Sequence, residues 1–368
     1  MIRLAAVITT FKKPFLSQYR DQMLPSQRQA LAALEQCRTA LSPRLQATCL
    51  DCDKQVFVPH SCGHRSCPHC QAHESQRWIE RQTQKLVPGE YFLLTFTLPA
   101  ELRALAFGHQ RLVYDLIMQT SWETVKTFSL SDKALKGIPG AVAVLHTHTR
   151  RLDYHPHVHL VMPAGAIDAQ HRLWRTKRGT GKSRYLFSHK ALAQVFRAKM
   201  LAAFKAADLR VPDSVPLKWV VDCKHVGTGS KALVYLGRYL YRGVIQEKDI
   251  LACANGQVTF SYRNGKTGKR ECRTVSGVEF LRLLLMHVLP KSLRRARNFG
   301  FLHPNSRASI QILQILNKLV SQSAPIAERP ALRCPCCGKP MVIVRTRIWP
   351  MCSSSPPVGA TLAGAYTM

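Results

Sequence analysis

Residues 155–166 read HPHVHLVMPAGA, with histidines at three alternate positions. In a β-strand, alternate side chains share a face, so His155, His157 and His159 point one way and Val158, Leu160 and Met162 the other. One face can hold a divalent ion while the other builds core. A strand of hydrogen-bonded or solvated imidazoles has the same spacing. Downstream, GSKALVYLGRYLYRGVI (229–245) has helical spacing and stacks Tyr235 and Tyr239 one turn apart, with Tyr241 pointing elsewhere. A phenol attacks phosphorus poorly unless the phosphate is polarised, and an ion on two imidazoles of a neighbouring strand would supply that Lewis acid. Alone, the tyrosines could equally be an aromatic core stripe.

CLDC (49–52) and CPHC (67–70) are two C-x-x-C pairs. Each pair can grip one side of a tetrahedral ion, which lets a loop-rich segment fold with little core. Cys49, Cys52, Cys67 and Cys70 are therefore expected to hold one structural Zn²⁺; Cys62, His64 and His69 leave room for another fourth ligand or a second site. A further pair, Cys334 and Cys337 in CPCCGK, has only a lone Cys352 after it and is a weak metal site by itself, as compatible with a remnant or an intermolecular site as with a functional one.

The charge narrows the partner. Fifty-three Lys plus Arg against 21 Asp plus Glu give +32 over 368 residues, spread along the chain, so polyanions are the expected ligands. The apolar run LRLLLMHVLP is too short to span a membrane, and the N-terminus lacks the order of a secretory signal, so a cytoplasmic protein with reduced cysteines is expected. No GxxxxGK[ST] loop occurs, and no nucleotide cofactor is expected.

Positioning these side chains needs a sheet. YFLLTFTL (91–98), AVAVLHTH (141–148), HVHLVM (157–162), LKWVVDC (217–223) and VTFSYR (258–263) are predicted strands, with helical segments around 15–41, 100–130, 189–207 and 229–242. Only eight residues separate the second strand from the third, which favours a hairpin and places His146 and His148 beside the other histidines. The fold class is α+β, a mostly antiparallel sheet with flanking helices. The expected divisions are a basic helical segment (1–44), a zinc-binding domain (45–80), a catalytic domain (88–310), and a C-terminal segment (311–368) whose tail SSSPPVGATLAGAYTM is expected to be disordered.

Together these motifs resemble the HUH endonucleases, specifically the two-tyrosine transposases of rolling-circle insertion sequences, the IS-ninety-one-like family. SCGHRSCPHCQ resembles the family's zinc segment, YFLLTFTLPAELR its first strand motif, and LHTHTRRLDYHPHVHLVMPAGA carries His157-Val158-His159. YLGRYLYR matches the paired tyrosines, and FLRLLLMHVLPKSLRRARNFGFL the segment after them. Two departures stand out: His148, Thr149 and Arg150 replace an aromatic, a glycine and a glutamine, and Ser66 stands where histidine is common, which favours the four-cysteine zinc set. The resemblance implies a transposase that nicks and rejoins single-stranded DNA at element ends, and target DNA, through a 5′-phosphotyrosine, in a bacterial, nucleoid-associated setting. It implies Tyr235 and Tyr239 as nucleophiles; the cations of the flanking Arg238 and Arg242 favour Tyr239 to start. It also implies Mg²⁺ or Mn²⁺ on His157 and His159; the departure at 148–150 leaves the third ligand open, His146 first, with His148 and His155 behind it. Arg238, Arg242, Arg294, Arg295 and Arg297 are candidate phosphate contacts, or a solvated basic face. Two alternatives use the same residues: an HUH replication initiator or conjugative nickase, and a zinc-ribbon nucleic-acid-binding protein without catalysis.

Overall fold

The computed structural model describes residues 2–171, 173–179, 185–241, 243–265, 267–316 and 331–350. Arg242, Cys352 and the tail expected to be disordered lie outside them. The chain forms two units, Met1–Glu35 with Cys62–Arg329 and Gln36–Ser61 with Pro330–Met368. The expected zinc segment 45–80 is thus divided at Ser61, and its first half is completed by residues far downstream. No helix among the described residues is long and apolar enough to cross a membrane.

The N-terminal segment holds two helices, α1 (Leu4–Tyr19) and α2 (Pro25–Gln36), where one continuous basic stretch was expected. Leu24-Pro25 separates them, since proline is favoured in a first helical turn and disfavours helix in the residue before it. In the small unit, β1 (Arg44–Cys49) pairs antiparallel with β2 (Gln55–Pro59) on one edge and with the strand Met341–Ile348 on the other.

The large unit continues through α3 (Ala72–Thr83), β3 (Tyr91–Thr97), α4 (Arg103–Gly108), α5 (Gln110–Ser131), β4 (Ile138–His148), β5 (Tyr154–Pro163), β6 (Gly165–Asp168), β7 (Leu173–Thr176), α6 (His189–Ala206), β8 (Val220–His225) and α7 (Ser230–Tyr241). A three-stranded sheet of β9 (Ile250–Ala254), β10 (Gln257–Arg263) and β11 (Arg270–Ser276) follows, then α8 (Gly277–Leu285), β12 (Ala296–Gly300) and α9 (Arg307–Leu316). The central sheet runs β7-β6-β4-β5-β3-β8, with β12 also paired to β4, and its pairings are antiparallel.

Strict alternation gives this sheet two different faces. Phe92, Leu94 and Phe96 of β3, Ala141, Ala143 and Leu145 of β4, and Val158, Leu160 and Met162 of β5 are buried in one core with α5 and α6. Each such aromatic or branched side chain contributes on the order of 1.5–3 kcal/mol by leaving water. On the other face Val142, Val144 and Val161 pack against Leu233, Leu236 and Leu240 of α7 and against Trp78 and Ile79 of α3. That second row continues along the strands into His146, His157 and His159. Helix α7 lies close on α3 at Gly237, where a Cβ would fall 2.3 Å from Ile79 Cγ1, and Ser75 Oγ donates to the Gly237 carbonyl at 2.9 Å.

Candidate active site and thiol clusters

The β4–β5 hairpin sets the site. His146 pairs with His157 and Val144 with His159, while Thr95 and Thr97 of β3 face His159 and His157 from the other edge of β5. Same-face side chains of neighbouring strands converge, and the ring centroids of His146, His157 and His159 lie 5.1, 4.3 and 4.9 Å apart for the three pairs. One nitrogen of each ring lies within 4.8 Å of the others.

The hydrogen bonds show which nitrogens are left for an ion. His157 Nδ1 donates to the His155 carbonyl at 2.7 Å, which leaves its Nε2 as the lone pair, and His159 Nδ1 lies 3.0 Å from Thr95 Oγ1, so its Nε2 is the nitrogen without that partner. His146 Nε2 is buried without a partner, which is costly for a polar atom unless something binds it. Backbone and hydroxyl partners on the far nitrogen are how metal-bound imidazoles are held in one tautomer. Burial, with repulsion from His159 and His157, holds His146 well below its ordinary pKa. Burial likewise lowers His157 to about 3 and His159 to about 4. All three are neutral near pH 7, the form that ligation needs.

Of the reserve ligands, neither joins this triad. His155 Nδ1 is 3.0 Å from Arg103 Nη2, and His148 is turned to Tyr239, whose hydroxyl lies 2.8 Å from His148 Nδ1. A register shift between His146 and His148 takes the latter out of the row.

The two tyrosines stand in different surroundings. Tyr239 stacks on His146 with centroids 3.3 Å apart, and the Arg295 guanidinium lies 5.0 Å from its ring centroid. Burial raises the Tyr239 phenol, and Arg295 pulls it the other way. Tyr235, one turn earlier, is 46% exposed and meets the His159 ring edge-on at 6.3 Å. Both line a groove of about 730 Å³ with Arg150, Lys231, Arg238 and Arg263.

The arginines separate by role. Arg238 and Arg294 are exposed. Arg295 is not available as it lies: its guanidinium donates to the Leu145 carbonyl at 3.0 Å and to the Leu240 carbonyl at 3.1 Å, joining β4 to α7. The expectation of a phosphate contact there is corrected to an internal brace, because a buried guanidinium must satisfy its donors. Arg297 pairs with Asp115. Sequence reasoning missed Arg65, whose guanidinium donates to the carbonyls of Leu289, Pro290 and Leu293 at 2.7–3.0 Å and lashes the cysteine-rich loop to the turn before Arg294. Only its place inside SCGHRSCPHCQ marked it.

The expected four-cysteine zinc set divides. Cys67 and Cys70 come together with Cys62, whose sulfur is 3.7 Å from that of Cys70. Cys49 and Cys52 instead meet Cys334 and Cys337 in the small unit. The reason is topological: Cys49 ends β1, and the strand Met341–Ile348, which follows the downstream pair, adds to β1 with Met341 opposite Cys49. His69 is engaged with Glu247 at 3.0 Å, and His64 Nδ1 accepts from the Ser66 amide.

Comparison with known proteins defines the class first, a transposase with a zinc-binding domain. Residues 7–98 match the family described as "Transposase zinc-binding domain" and residues 140–309 the family described as "Putative transposase". A "Putative transposase y4qJ" of Sinorhizobium fredii is 31% identical over 333 residues, covering 83% of this chain and 82% of the relative. A "Transposase for insertion sequence element IS801" of Pseudomonas savastanoi pv. phaseolicola is 29% identical over 282 residues, covering 72% of this chain and 68% of the relative. No solved structure gives a significant match. The chain belongs to the IS91 family of insertion-sequence transposases, enzymes that act on DNA. The zinc-binding match and the thiol clusters make Zn²⁺ its structural metal.

Proposed function

We propose that this transposase nicks and rejoins single-stranded DNA at the ends of its element through a tyrosine–5′-phosphate ester, the reaction of rolling-circle transposition. The observation that carries the reading is the Tyr239 hydroxyl, 2.8 Å from a neutral imidazole and on a ring stacked against the histidine triad. His146, His157 and His159 would hold the divalent ion. Bound there, it would draw charge from the non-bridging oxygens of the scissile phosphate.

The chain's own residues then account for the proton and the bonds. Burial keeps His148 uncharged, so its nitrogen beside the hydroxyl has a free lone pair to take the Tyr239 proton as the phenol oxygen attacks phosphorus. The new bond is tyrosine oxygen to phosphorus; the bond that breaks joins phosphorus to the 3′-oxygen, which leaves as a 3′-hydroxyl after taking a proton. Because one phosphodiester replaces another, a 3′-hydroxyl can reverse the step on a new strand without a nucleotide cofactor. Tyr235, exposed one turn away at about 6 Å along the helix, takes the second strand.

The groove beside them suits an unpaired strand. Arg150, Lys231, Arg238 and Arg263 offer charge to phosphates, and Tyr262 offers a ring face to a base. The one acid among its described lining residues, Asp249, is paired with Arg270 at 2.6 Å. The test is a denaturing gel of the protein with labelled single-stranded end DNA. Tyr239→Phe should abolish the first covalent adduct, while Tyr235→Phe should form it and fail at strand transfer. An adduct that survives in the double variant removes α7 from the mechanism.

A further inference from the structure

Cys334 and Cys337 lie beyond both family matches, which end at residues 98 and 309. We infer that Cys49, Cys52, Cys334 and Cys337 form a four-thiolate zinc site of their own, which closes residues 331–350 onto 44–59 as a zinc ribbon. Three of the sulfur–sulfur distances are 3.5 Å for Cys49 to Cys337, 3.6 Å for Cys52 to Cys334 and 3.7 Å for Cys52 to Cys337, and all four sulfurs lie within 4.8 Å of one another. Four sulfurs at about 2.3 Å from a zinc ion would stand about 3.8 Å apart on a tetrahedron. A disulfide needs about 2.05 Å, so these are not half-formed disulfides.

The backbone around each pair is built alike. The Cys49 amide donates to the Lys54 carbonyl at 3.0 Å and the Cys334 amide to the Lys339 carbonyl at 2.8 Å. The Asp53 amide returns to the Cys49 carbonyl at 3.0 Å, and the Gly338 amide to the Cys334 carbonyl at 2.9 Å. Asp53 and Gly338, each following the second cysteine, have φ of 54° and 70°. Two such turns present their thiols from opposite sides of one point, while Cys336 between them stays exposed and directs its amide at Cys334 Sγ.

Among its described residues the small unit has little core. Its buried apolar cluster is Ala47, Cys49, Cys334 and Met341, with Leu45, Val56 and Leu332 partly buried against it. Val342, Ile343 and Val344 are about half exposed. So small a core cannot offset the ordering of about 40 residues, and metal ligation is the usual remedy.

The test uses the full-length chain. Zinc content by elemental mass spectrometry should fall by one ion per chain in the Cys334→Ser/Cys337→Ser variant, with the sites of the large unit still loaded. Alkylation of the native protein supplies the second readout: Cys49, Cys52, Cys334 and Cys337 should be protected together and become reactive together on chelation, with Cys336 labelled throughout. Unchanged zinc content in the variant, or labelling of the Cys334 and Cys337 pair before chelation while Cys49 and Cys52 stay protected, overturns the site.

Discussion

Tyr239 lies face to face on His146, centroids 3.3 Å apart and rings 14° from parallel, so the second tyrosine and the third imidazole occupy one stack. A shift of α7 along the sheet would therefore change the contact between the proposed nucleophile and the candidate ligand. The outer end of the stack is met by His148, whose Nδ1 lies 2.8 Å from the Tyr239 hydroxyl, and its flank by the Arg295 guanidinium.

His148→Gln tests that proton path. Glutamine keeps an acceptor in place but cannot take a proton near neutral pH. Single-turnover formation of the covalent adduct should slow by about 10²-fold, the low end of what a positioned base contributes, with DNA affinity unchanged. A full rate in this variant would mean that solvent removes the proton.

The triad makes a statement about its metal. Three imidazoles with no carboxylate among them are a donor set better suited to Mn²⁺ than to Mg²⁺, which prefers oxygen. Strand cleavage should saturate at lower Mn²⁺ than Mg²⁺, and His157→Ala or His159→Ala should lose it in both while keeping salt-sensitive DNA binding. Cleavage that persists in EDTA would return these histidines to a structural role.

Much of this arrangement is legible in the sequence, and the misses have physical causes. The period-2 spacing of His155, His157 and His159 and the four-residue spacing of Tyr235 and Tyr239 state which side chains share a face. The short connection from His148 to His155 states which strands pair. The partition of the cysteines is not legible, because local spacing says that Cys49 and Cys52 act together but not with which distant pair; the partner Cys337 lies 288 residues from Cys49 and is brought there by the strand that follows it. Arg295 is misread for a related reason. A run such as Leu293-Arg294-Arg295-Ala296-Arg297 looks uniformly basic, and only the alternation imposed by β12 and its approach shows that Arg294 is exposed while Arg295 donates inward. The short strands β6, β7 and β12 are four or five residues each, too short for a periodic signal.

Helix α7 depends on a missing side chain. A Cβ at Gly237 would stand 2.3 Å from Ile79 Cγ1 and 2.9 Å from the Trp78 ring, both within a packed core. Gly237→Ala gains helix propensity of about 1 kcal/mol but forces α7 off α3, at a typical overpacking cost of about 1–3 kcal/mol. A net loss of thermal stability is expected, with adduct formation reduced well beyond the loss of folded protein, since Tyr235 and Tyr239 ride on the displaced helix. Circular-dichroism melting paired with the adduct gel separates the two effects; a more stable variant with full activity would show that the contact yields freely.

Acid should unfold this protein early, and His287 identifies one cause. Its Nε2 donates to the Leu152 carbonyl at 2.9 Å, while Nδ1 is buried with no acceptor, so a second proton would add an unsatisfied donor and a buried charge. Burial, assisted by Arg295 and opposed by the Leu152 carbonyl and Asp153, holds its pKa at about 4 against an ordinary 6.5. With the folded pKa below the unfolded one, the unfolded chain binds the proton more readily, so the stabilising effect is complete above pH 6.5 and is lost as pH falls toward 4. At about 1.4 kcal/mol for each tenfold difference in proton affinity between the folded and unfolded chain, the loss is on the order of 3 kcal/mol. His146 and His148 are depressed in the same sense and steepen the fall in metal-free protein. Melting temperatures of protein treated with EDTA should drop between pH 7 and pH 5, and His287→Gln should flatten that slope while lowering stability at pH 7. An unchanged slope in the variant would place the acid sensitivity elsewhere.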